Sequence, residues 1–238
     1  MRYRTSEVGT GNSFEARIPA RSAVLEGEVH VGDEARGIVL FAHGSGSSRH
    51  SPRNQFVARS LQGMGLATLL FDLLTREEEA LDLATHRLRF DIGLLAERLV
   101  DASRWIRSRP ETRALAIGYF GASTGGGAAL VAAAELGNEI GAVVSRGGRP
   151  DLAADALTRV KSPTLLIVGG LDEPVIRLNE EALALLRCEK ELRIAPGATH
   201  LFEEPGTLEE VARLAGEWFG RHLRSRPDAD VRAAKGAS

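Results

Sequence analysis

Short apolar runs alternate with longer amphipathic stretches along most of this 238-residue chain. Because elements that alternate in this way form a parallel sheet covered by helices, the pattern predicts an α/β fold. From residue 38 onward the apolar runs are continuous, as in strands buried on both faces. The two earliest runs alternate polar with apolar residues, which predicts antiparallel edge strands with one solvated face. The predicted strands are 15–19, 24–31, 37–43, 66–72, 114–120, 140–145, 164–169 and 191–195, and the predicted helices are 52–65, 89–109, 124–137, 173–188 and 207–223.

Length, charge and cysteine content narrow the class of protein further. The chain is long enough for one sizeable core, so we expect a single domain over residues 1–222 and a flexible tail over 223–238. A net charge of −2 does not favour a nucleic-acid or anionic-membrane partner. No apolar leader and no run of membrane-spanning length is present, which predicts a cytoplasmic protein. Cys188 is the only cysteine, so no intramolecular disulfide can form. The sequence does not indicate the oligomeric state.

A serine between glycines follows the predicted strand at 114–120, in the stretch GYFGASTGGGAAL. Gly121, Ser123 and Gly125 spell Gly-x-Ser-x-Gly, the pattern of a nucleophile presented at a sharp strand-to-helix turn. Glycines on both sides leave room for the strand and helix to close around the serine. The sequence therefore predicts Ser123 as a nucleophile.

The same glycines allow a second interpretation, a loop that binds a nucleotide phosphate. Gly121, Gly125 and Gly127 fit Gly-x-x-x-Gly-x-Gly, which resembles the cofactor loop of NADP-dependent short-chain dehydrogenases, and Arg146 could meet a 2′-phosphate. However, the loop follows a strand in mid-chain and no Tyr-x-x-x-Lys comes after it. We therefore keep the dehydrogenase only as a remote alternative.

A serine nucleophile needs a histidine to accept its proton and a carboxylate to orient that histidine. Asp172 follows the predicted strand at 164–169, and His200 follows the one at 191–195, in the order Ser, Asp, His typical of this kind of turn. Both come at carboxyl ends of strands, where open α/β sheets bind ligands. Glu173 is a second candidate carboxylate beside Asp172.

The negative oxygen formed on an attacked carbonyl needs hydrogen-bond donors. Residues 43–46 read His-Gly-Ser-Gly after an earlier strand, which resembles the oxyanion loop of esterases. We assign one donor to the backbone N–H of Ser45 and the other to that of Thr124, with Gly46 as a replacement for Ser45. His43 is predicted to orient this loop rather than to act as a second base.

Taken together, FAHGSGSSRHSPRN, FGASTGGGAAL, VGGLDEPV and GATHLFEEPG resemble the α/β-hydrolase superfamily and its dienelactone-hydrolase-like branch, over residues 14 to 222. The resemblance implies an eight-stranded, mostly parallel sheet with helices on both faces, an antiparallel first hairpin, a small lid, and hydrolysis without a cofactor. Dienelactone hydrolase proper has a cysteine where this chain has Ser123, so dienelactone itself is not the expected substrate. Cys188 is predicted to be a structural thiol. No histidines show metal-ligand spacing with cysteine or carboxylate support, so we expect no metal site.

The substrate class follows from the segment 75–88 and from loop arginines. The segment is short and polar, which predicts a small lid and a small ester, thioester or lactone as substrate. Guanidinium groups suit a substrate carboxylate, although they could instead pair with Asp151 or Glu173. A catalytically silent binding or regulatory module with this fold is the main alternative. The candidate arginines are Arg49, Arg53, Arg146 and Arg149.

Overall fold

The computed structural model describes residues 11–21 and 23–223. Eight strands form one sheet in the order β1-β2-β4-β3-β5-β6-β7-β8. The strands are β1 (Gly11–Ala20), β2 (Ala23–Gly32), β3 (Gly37–Ala42), β4 (Ala67–Phe71), β5 (Ala116–Ala122), β6 (Ile140–Arg146), β7 (Thr164–Gly169) and β8 (Lys190–Ala195).

Strand β2 runs antiparallel to both of its neighbours, β1 and β4, whereas every pair from β4 to β8 is parallel. The predicted eight-stranded, mostly parallel sheet with an antiparallel first hairpin is therefore confirmed. The alternation of exposed and buried residues along β1 and β2 also agrees with one solvated face. Of these two strands, however, only β1 lies at an edge of the sheet, because β4 covers the other side of β2, and the opposite edge is β8.

Six α-helices lie within the described residues, together with short 3₁₀ segments at Leu88–Phe90, Gly137–Glu139 and Pro150–Arg159. One face of the sheet packs against α3, α4 and α5, and the other face packs against α1 and α6. The helices are α1 (Pro52–Gly63), α2 (Arg76–Thr85), α3 (Ile92–Ser108), α4 (Thr124–Leu136), α5 (Glu173–Leu185) and α6 (Thr207–His222). The prediction of helices on both faces is confirmed.

The segment predicted as a small polar lid contains α2, a helix that the apolar pattern did not reveal. Thr75 and Glu78 form a reciprocal capping box at its start, because the Thr75 hydroxyl accepts from the Glu78 N–H and the Glu78 carboxylate accepts from the Thr75 N–H. The following predicted helix, 89–109, divides in two: Asp91 caps the start of α3 and separates it from the 3₁₀ segment. Local capping, not apolar periodicity, sets these boundaries.

The packed region extends through Leu223, which is 2% exposed. Leu223 packs so close to the sheet that a Cβ atom on Gly37, Gly118 or Gly141 would lie 2.8–3.0 Å from its side chain. Leu223, the first residue of the predicted tail, thus belongs to the packed region, and the rest of that segment, 224–238, lies outside the described residues. Among the described helices, none combines the length and apolar character needed to span a bilayer.

Parallel strands place their carboxyl ends at one edge of the sheet. The loops after β3, β5, β6, β7 and β8 all start at this edge and contain the candidate residues. Adjacent strands bring distant parts of the sequence side by side: Ala42 pairs with Gly121, and Ala122 with Arg146. The fold thus gathers His43–Gly46, Ser123, Arg146, Asp172 and His200 along one rim.

The central sheet should contribute most of the stability, and matched leucine truncations test this. Leu40 in β3 is 0% exposed, whereas Leu185 at the end of α5 is 49% exposed. We expect Leu40→Ala to lower the free energy of unfolding by about 2–5 kcal/mol, since it leaves a cavity, and Leu185→Ala to change it by less than about 0.5 kcal/mol. Urea denaturation followed by circular dichroism measures both, and equal losses would contradict this account of the core.

Candidate active site

Ser123 lies at the turn between β5 and α4 with φ 51° and ψ −121°. A positive φ is strained for a residue with a side chain, so the surrounding structure must hold it there. Two backbone hydrogen bonds do so: the Ser123 N–H donates to the Arg146 carbonyl (3.2 Å), and the Ser123 carbonyl accepts from the Arg149 N–H (3.0 Å). The serine is partly exposed while its neighbours Ala122 and Thr124 are buried. The turn therefore presents one side chain at the rim.

The glycines around Ser123 are packed against protein backbone. A Cβ atom on Gly121 would lie 2.5 Å from the Gly125 carbonyl oxygen, and one on Gly125 would overlap the carbonyl oxygen of Ala42. A Cβ atom on Gly44 would lie 3.0 Å from Cβ of Ser123. These glycines let the chain close up around the turn, as the Gly-x-Ser-x-Gly pattern requires. They do not line an open groove for a nucleotide phosphate.

His200 and Asp172 come together as the sequence predicts. Nδ1 of His200 is 2.6 Å from Oδ2 of Asp172, and the Asp172 side chain is only 13% exposed, against 38% for His200. Asp172 is the residue before α5, and its N–H donates to the Gly169 carbonyl at the end of β7. Glu173, the alternative carboxylate, is exposed at the first position of the helix. Asp172 is thus the carboxylate that orients the imidazole.

The loop that contains His200 is held by Glu204, a residue that the sequence analysis did not single out. Its carboxylate accepts hydrogen bonds from the Thr199 N–H (3.1 Å) and from the Thr199 hydroxyl (2.6 Å). These bonds lower the pKa of Glu204, so the carboxylate is ionised at neutral pH. The only sequence signal for this interaction is that Thr199 and Glu204 lie on either side of His200, five residues apart.

Ser123 and His200 both lie against the segment Arg146–Gly147. The backbone N–H of Ser123 donates to the Arg146 carbonyl. A Cβ atom on Gly147 would lie 3.6 Å from Cε1 of His200. Within residues 11–21 and 23–223, Ser123 Oγ has no hydrogen-bond partner. Such bonds are often long in a free enzyme and shorten only around a substrate. The arrangement puts the hydroxyl and the imidazole on the same short stretch of backbone.

The two predicted oxyanion donors are neighbours in space. Ser45 Oγ is 3.1 Å from Thr124 Oγ1, although the residues are 79 positions apart in the chain. Thr124 is the first residue of α4, so its N–H has no acceptor within the helix, and the helix dipole adds positive potential there. Gly46 adopts φ +66°, which turns the loop beside Ser45. The Ser45–Gly46 turn and the start of α4 therefore face the same space.

His43 ties this loop to the strand beside it. The Leu73 N–H donates to Nε2 of His43 (3.0 Å), so Nδ1 carries the proton and donates to the Gly44 carbonyl (3.0 Å). Burial lowers the pKa of His43, which keeps the ring neutral at neutral pH. Both ring nitrogens are occupied, so His43 has no lone pair available to act as a base.

The four candidate arginines differ in their partners. Arg49 pairs with Asp72 and Glu26. Arg149 pairs bidentately with Asp151, through bonds of 2.7 and 2.8 Å.

Arg53 donates to Glu203 at 2.9 Å. Arg146 has no carboxylate partner among the described residues and lies 5.7 Å from the ring of Phe202. Arg49 and Arg149 are thus engaged in structural ion pairs, while Arg146 is the one whose charge is uncompensated.

A cavity of about 140 Å³ opens beside Ser45 and Thr124. Its walls are mostly apolar, from Leu73, Leu74, Leu83 and Leu95, with Glu79, Asp82 and Arg89 as polar contributors. Helix α2 forms one wall and is fixed by Asp82, which accepts from Arg89 Nε (2.5 Å) and from the Leu88 N–H (2.7 Å). The sequence did not indicate the cavity-lining residues of α2, because they contact the rest of the cavity only in the folded chain. The capping pair Thr75 and Glu78 is the one sequence signal for this helix.

No cluster of three or more histidine, cysteine, aspartate or glutamate side chains in the described chain is arranged to hold a metal ion. Cys188 is half-buried, and its thiol lies 3.7 Å from the Thr164 hydroxyl. Burial raises the pKa of this thiol, so it is less reactive than an ordinary cysteine. This thiol therefore adds no second nucleophile to the rim.

Comparison with known proteins places this geometry in a family. The model of the dienelactone hydrolase family matches residues 23–222. A crystal structure of dienelactone hydrolase from Anabaena variabilis has a TM-score of 0.88 and 61% identity, over 90% of this chain and 99% of that one. A dienelactone-hydrolase-like promiscuous phosphotriesterase from metagenomic libraries shares the fold, with a TM-score of 0.74 and 16% identity, over 90% of this chain and 100% of that one.

Two curated sequences from Mycobacterium tuberculosis strains are 57% identical over 209 residues, which is 88% of this chain. They are named as candidate phosphoribosyl transferases, and the chain spans 46% of their length. The family match, in contrast, covers nearly all of the described residues. The chain therefore belongs to the dienelactone hydrolase family and has the α/β-hydrolase fold.

Proposed function

We propose that this protein cleaves a small carboxylic ester, thioester or lactone through an acyl-enzyme intermediate on Ser123. The 2.6 Å contact between His200 and Asp172, at the same rim as the strained Ser123 turn, is the observation that supports this most directly. A hydroxyl is a weak nucleophile without a base, and an imidazole needs a fixed tautomer to serve as that base. Asp172 accepts from Nδ1 and so leaves Nε2 free to take a proton.

In the first half of the reaction, Ser123 Oγ forms a bond to the carbonyl carbon while its proton passes to Nε2 of His200. The Ser45 and Thr124 N–H groups stabilise the negative oxygen of the tetrahedral intermediate. The carbon–oxygen or carbon–sulfur bond to the leaving group then breaks, and the imidazolium donates its proton to that group. Asp172 stays ionised and stabilises the imidazolium.

In the second half, water attacks the acyl carbon while His200 takes one of its protons. Collapse of the second intermediate breaks the bond to Ser123 Oγ, which recovers its proton from His200. The products are a carboxylic acid and an alcohol or thiol, and for a lactone both groups are on one molecule. Every proton is transferred by His200, so no cofactor enters this scheme.

The cavity beside the oxyanion donors suggests a small acyl group. Its volume of about 140 Å³ holds a few carbon atoms, and its leucine walls favour an apolar chain. Helix α2 closes one side and is fixed by the ion pair between the buried Asp82 and the partly buried Arg89, which limits how far the cavity can expand. Short acyl groups therefore fit better than long-chain lipids.

The name of the Mycobacterium tuberculosis relatives describes proteins of which this chain matches less than half. The proposal therefore concerns only hydrolysis by the 238 residues of this chain. A silent binding module would keep the same fold without turnover. Labelling with a fluorophosphonate distinguishes a hydrolase from a silent module, since the probe reacts with an activated serine. Failure of the probe to label Ser123 would contradict the proposal.

Ser123→Ala should reduce turnover of a short-chain aryl ester by about 10³-fold or more, because it removes the atom that attacks the carbonyl. Steady-state kinetics on p-nitrophenyl acetate measure the effect. Ser108→Ala, at an exposed serine near the end of α3, is the matched control and should retain the parent activity. If Ser123→Ala remained as active as the control, the nucleophile would have to be another residue.

His43 should make the fold sensitive to acid. Its pKa is lowered by burial in the folded state, so below the ordinary histidine value of 6.5 the unfolded chain binds a proton that the folded chain does not. Stability contributed by the neutral ring is therefore lost as the pH falls through 6.5. Between pH 8 and pH 5, His43→Gln should lose about 1–2 kcal/mol less free energy of unfolding than the parent protein.

Urea denaturation at a series of pH values measures this difference. His43→Gln should also be less stable than the parent at pH 8, by about 1–3 kcal/mol, because the buried Leu73 N–H loses its acceptor. An identical acid dependence in the two proteins would show that His43 is not held neutral.

A further inference from the structure

Arg146, the last residue of β6, is a buried arginine without a counter-charge. The residue is 8% exposed, and neither Nε nor Nη1 has a hydrogen-bond partner. Nη2 is the one guanidinium nitrogen that is not shut off from solvent. Arginines that are this buried are normally paired with a carboxylate. The guanidinium of Arg146 therefore has hydrogen-bond donors without acceptors at the rim.

The surroundings of Arg146 increase its positive potential. Arg53 is close enough to repel it, and the Arg53 Nε atom is also buried without a partner. Burial first, and Arg53 second, lower the pKa of Arg146 to about 10, so the guanidinium still carries its charge at neutral pH. Glu203 pairs with Arg53 and leaves one positive charge in excess. A buried water could accept a hydrogen bond here, but it could not neutralise that charge.

Arg146 lies on the opposite face of the sheet from the acyl cavity. Leu73 and Leu95, which line the cavity, belong to the core beneath α3 and α4. Phe202, which packs against the Arg146 guanidinium, belongs to the core beneath α1 and α6. Ser123, bonded to the Arg146 carbonyl, lies at the edge between the two faces.

The position of His200 indicates which part of a substrate would reach Arg146. The imidazole must contact the leaving oxygen to protonate it, so the leaving group lies on its side of Ser123. Phe202 is two residues after His200, in the same loop. The leaving group therefore extends toward Phe202 and Arg146, while the acyl group occupies the cavity on the other face.

We propose that Arg146, supported by Arg53, binds an anionic group, a carboxylate or a phosphate, on the leaving-group part of the substrate. The inference rests on the proposed ester hydrolysis and specifies its substrate class. The guanidinium can donate from Nη2 to an oxygen of either anion, and its burial strengthens such a charge-assisted contact.

Three aryl acetates that differ only in the meta substituent of the phenol test the subsite. The substituents are hydrogen, carboxylate and phosphate, so the acyl group is constant and the two anions are separated. We expect kcat/KM for at least one anionic ester to exceed that of the neutral ester by about 10-fold or more, as charge-assisted hydrogen bonds of this kind allow. A wild-type enzyme without such a preference would overturn the subsite and leave ester hydrolysis intact.

Substitution of Arg146 then assigns the preference to this residue. In Arg146→Met the ratio of anionic to neutral kcat/KM should fall to about 1–3, whereas Arg146→Lys should retain part of it, since lysine keeps the charge but not the planar fork. Arg53→Met should reduce the ratio to a smaller extent. Arg59→Met, at an exposed arginine of the same helix as Arg53, controls for net charge and should keep the parent ratio. An unchanged ratio in Arg146→Met would overturn the assignment.

Binding to the Ser123→Ala protein provides a test without turnover. Calorimetry should detect benzoate or phenyl phosphate, and Arg146→Met in the same background should weaken that binding about 10-fold or more. If the wild-type enzyme hydrolysed none of the esters but this binding and its loss were observed, the proposed function would fail while the subsite stood. Absence of binding for both anions would overturn the subsite.

Discussion

The close approach of the turn at Ser123 to the end of β3 is the constraint on which the rest of the site depends. Gly125 lies against the carbonyl of Ala42 with no room for a side chain, and Gly121 lies against Gly125. This contact holds Ser123 at φ 51° and brings the start of α4 beside Ser45. Strain at one residue is thereby maintained by packing that extends through the central strands, where Phe41, Tyr119 and Phe120 are fully buried.

Most ionisable side chains described at the rim are paired with an opposite charge or held neutral, and Arg146 is the exception. Arg49 and Arg149 have carboxylate partners, and His43 is neutral through burial. Asp172 is covered and directed at the imidazole. Against this background the uncompensated guanidinium of Arg146 stands out, and its location across the sheet from the leucine-lined cavity gives the proposed substrate an apolar end and a charged end.

Much of the fold could be predicted because, in the central strands, the apolar pattern of the sequence matches the burial of those strands in the structure. Strands β3 to β7 are buried on both faces, so their sequences are continuously apolar, and β7 was predicted with its observed bounds. The edge strand β8 departs from this pattern, because most of its residues are exposed or half-buried. Helix α2 was missed because it buries only Asp82 and therefore has no apolar stripe. The packing of Leu223 was not visible in the sequence, since its contacts are with glycines far away along the chain.

By itself, the sequence determined the order of the eight strands and of every described α-helix except α2, the Gly-x-Ser-x-Gly turn, and the placement of Ser123, Asp172 and His200 after β5, β7 and β8. These features depend on local sterics and on apolar periodicity, which a single chain segment displays. Only the tertiary structure decided which arginine lacks a counter-ion and that Asp172 rather than Glu173 meets His200. Partners of charged side chains come from distant segments, and their pairing is set by how the sheet brings those segments together.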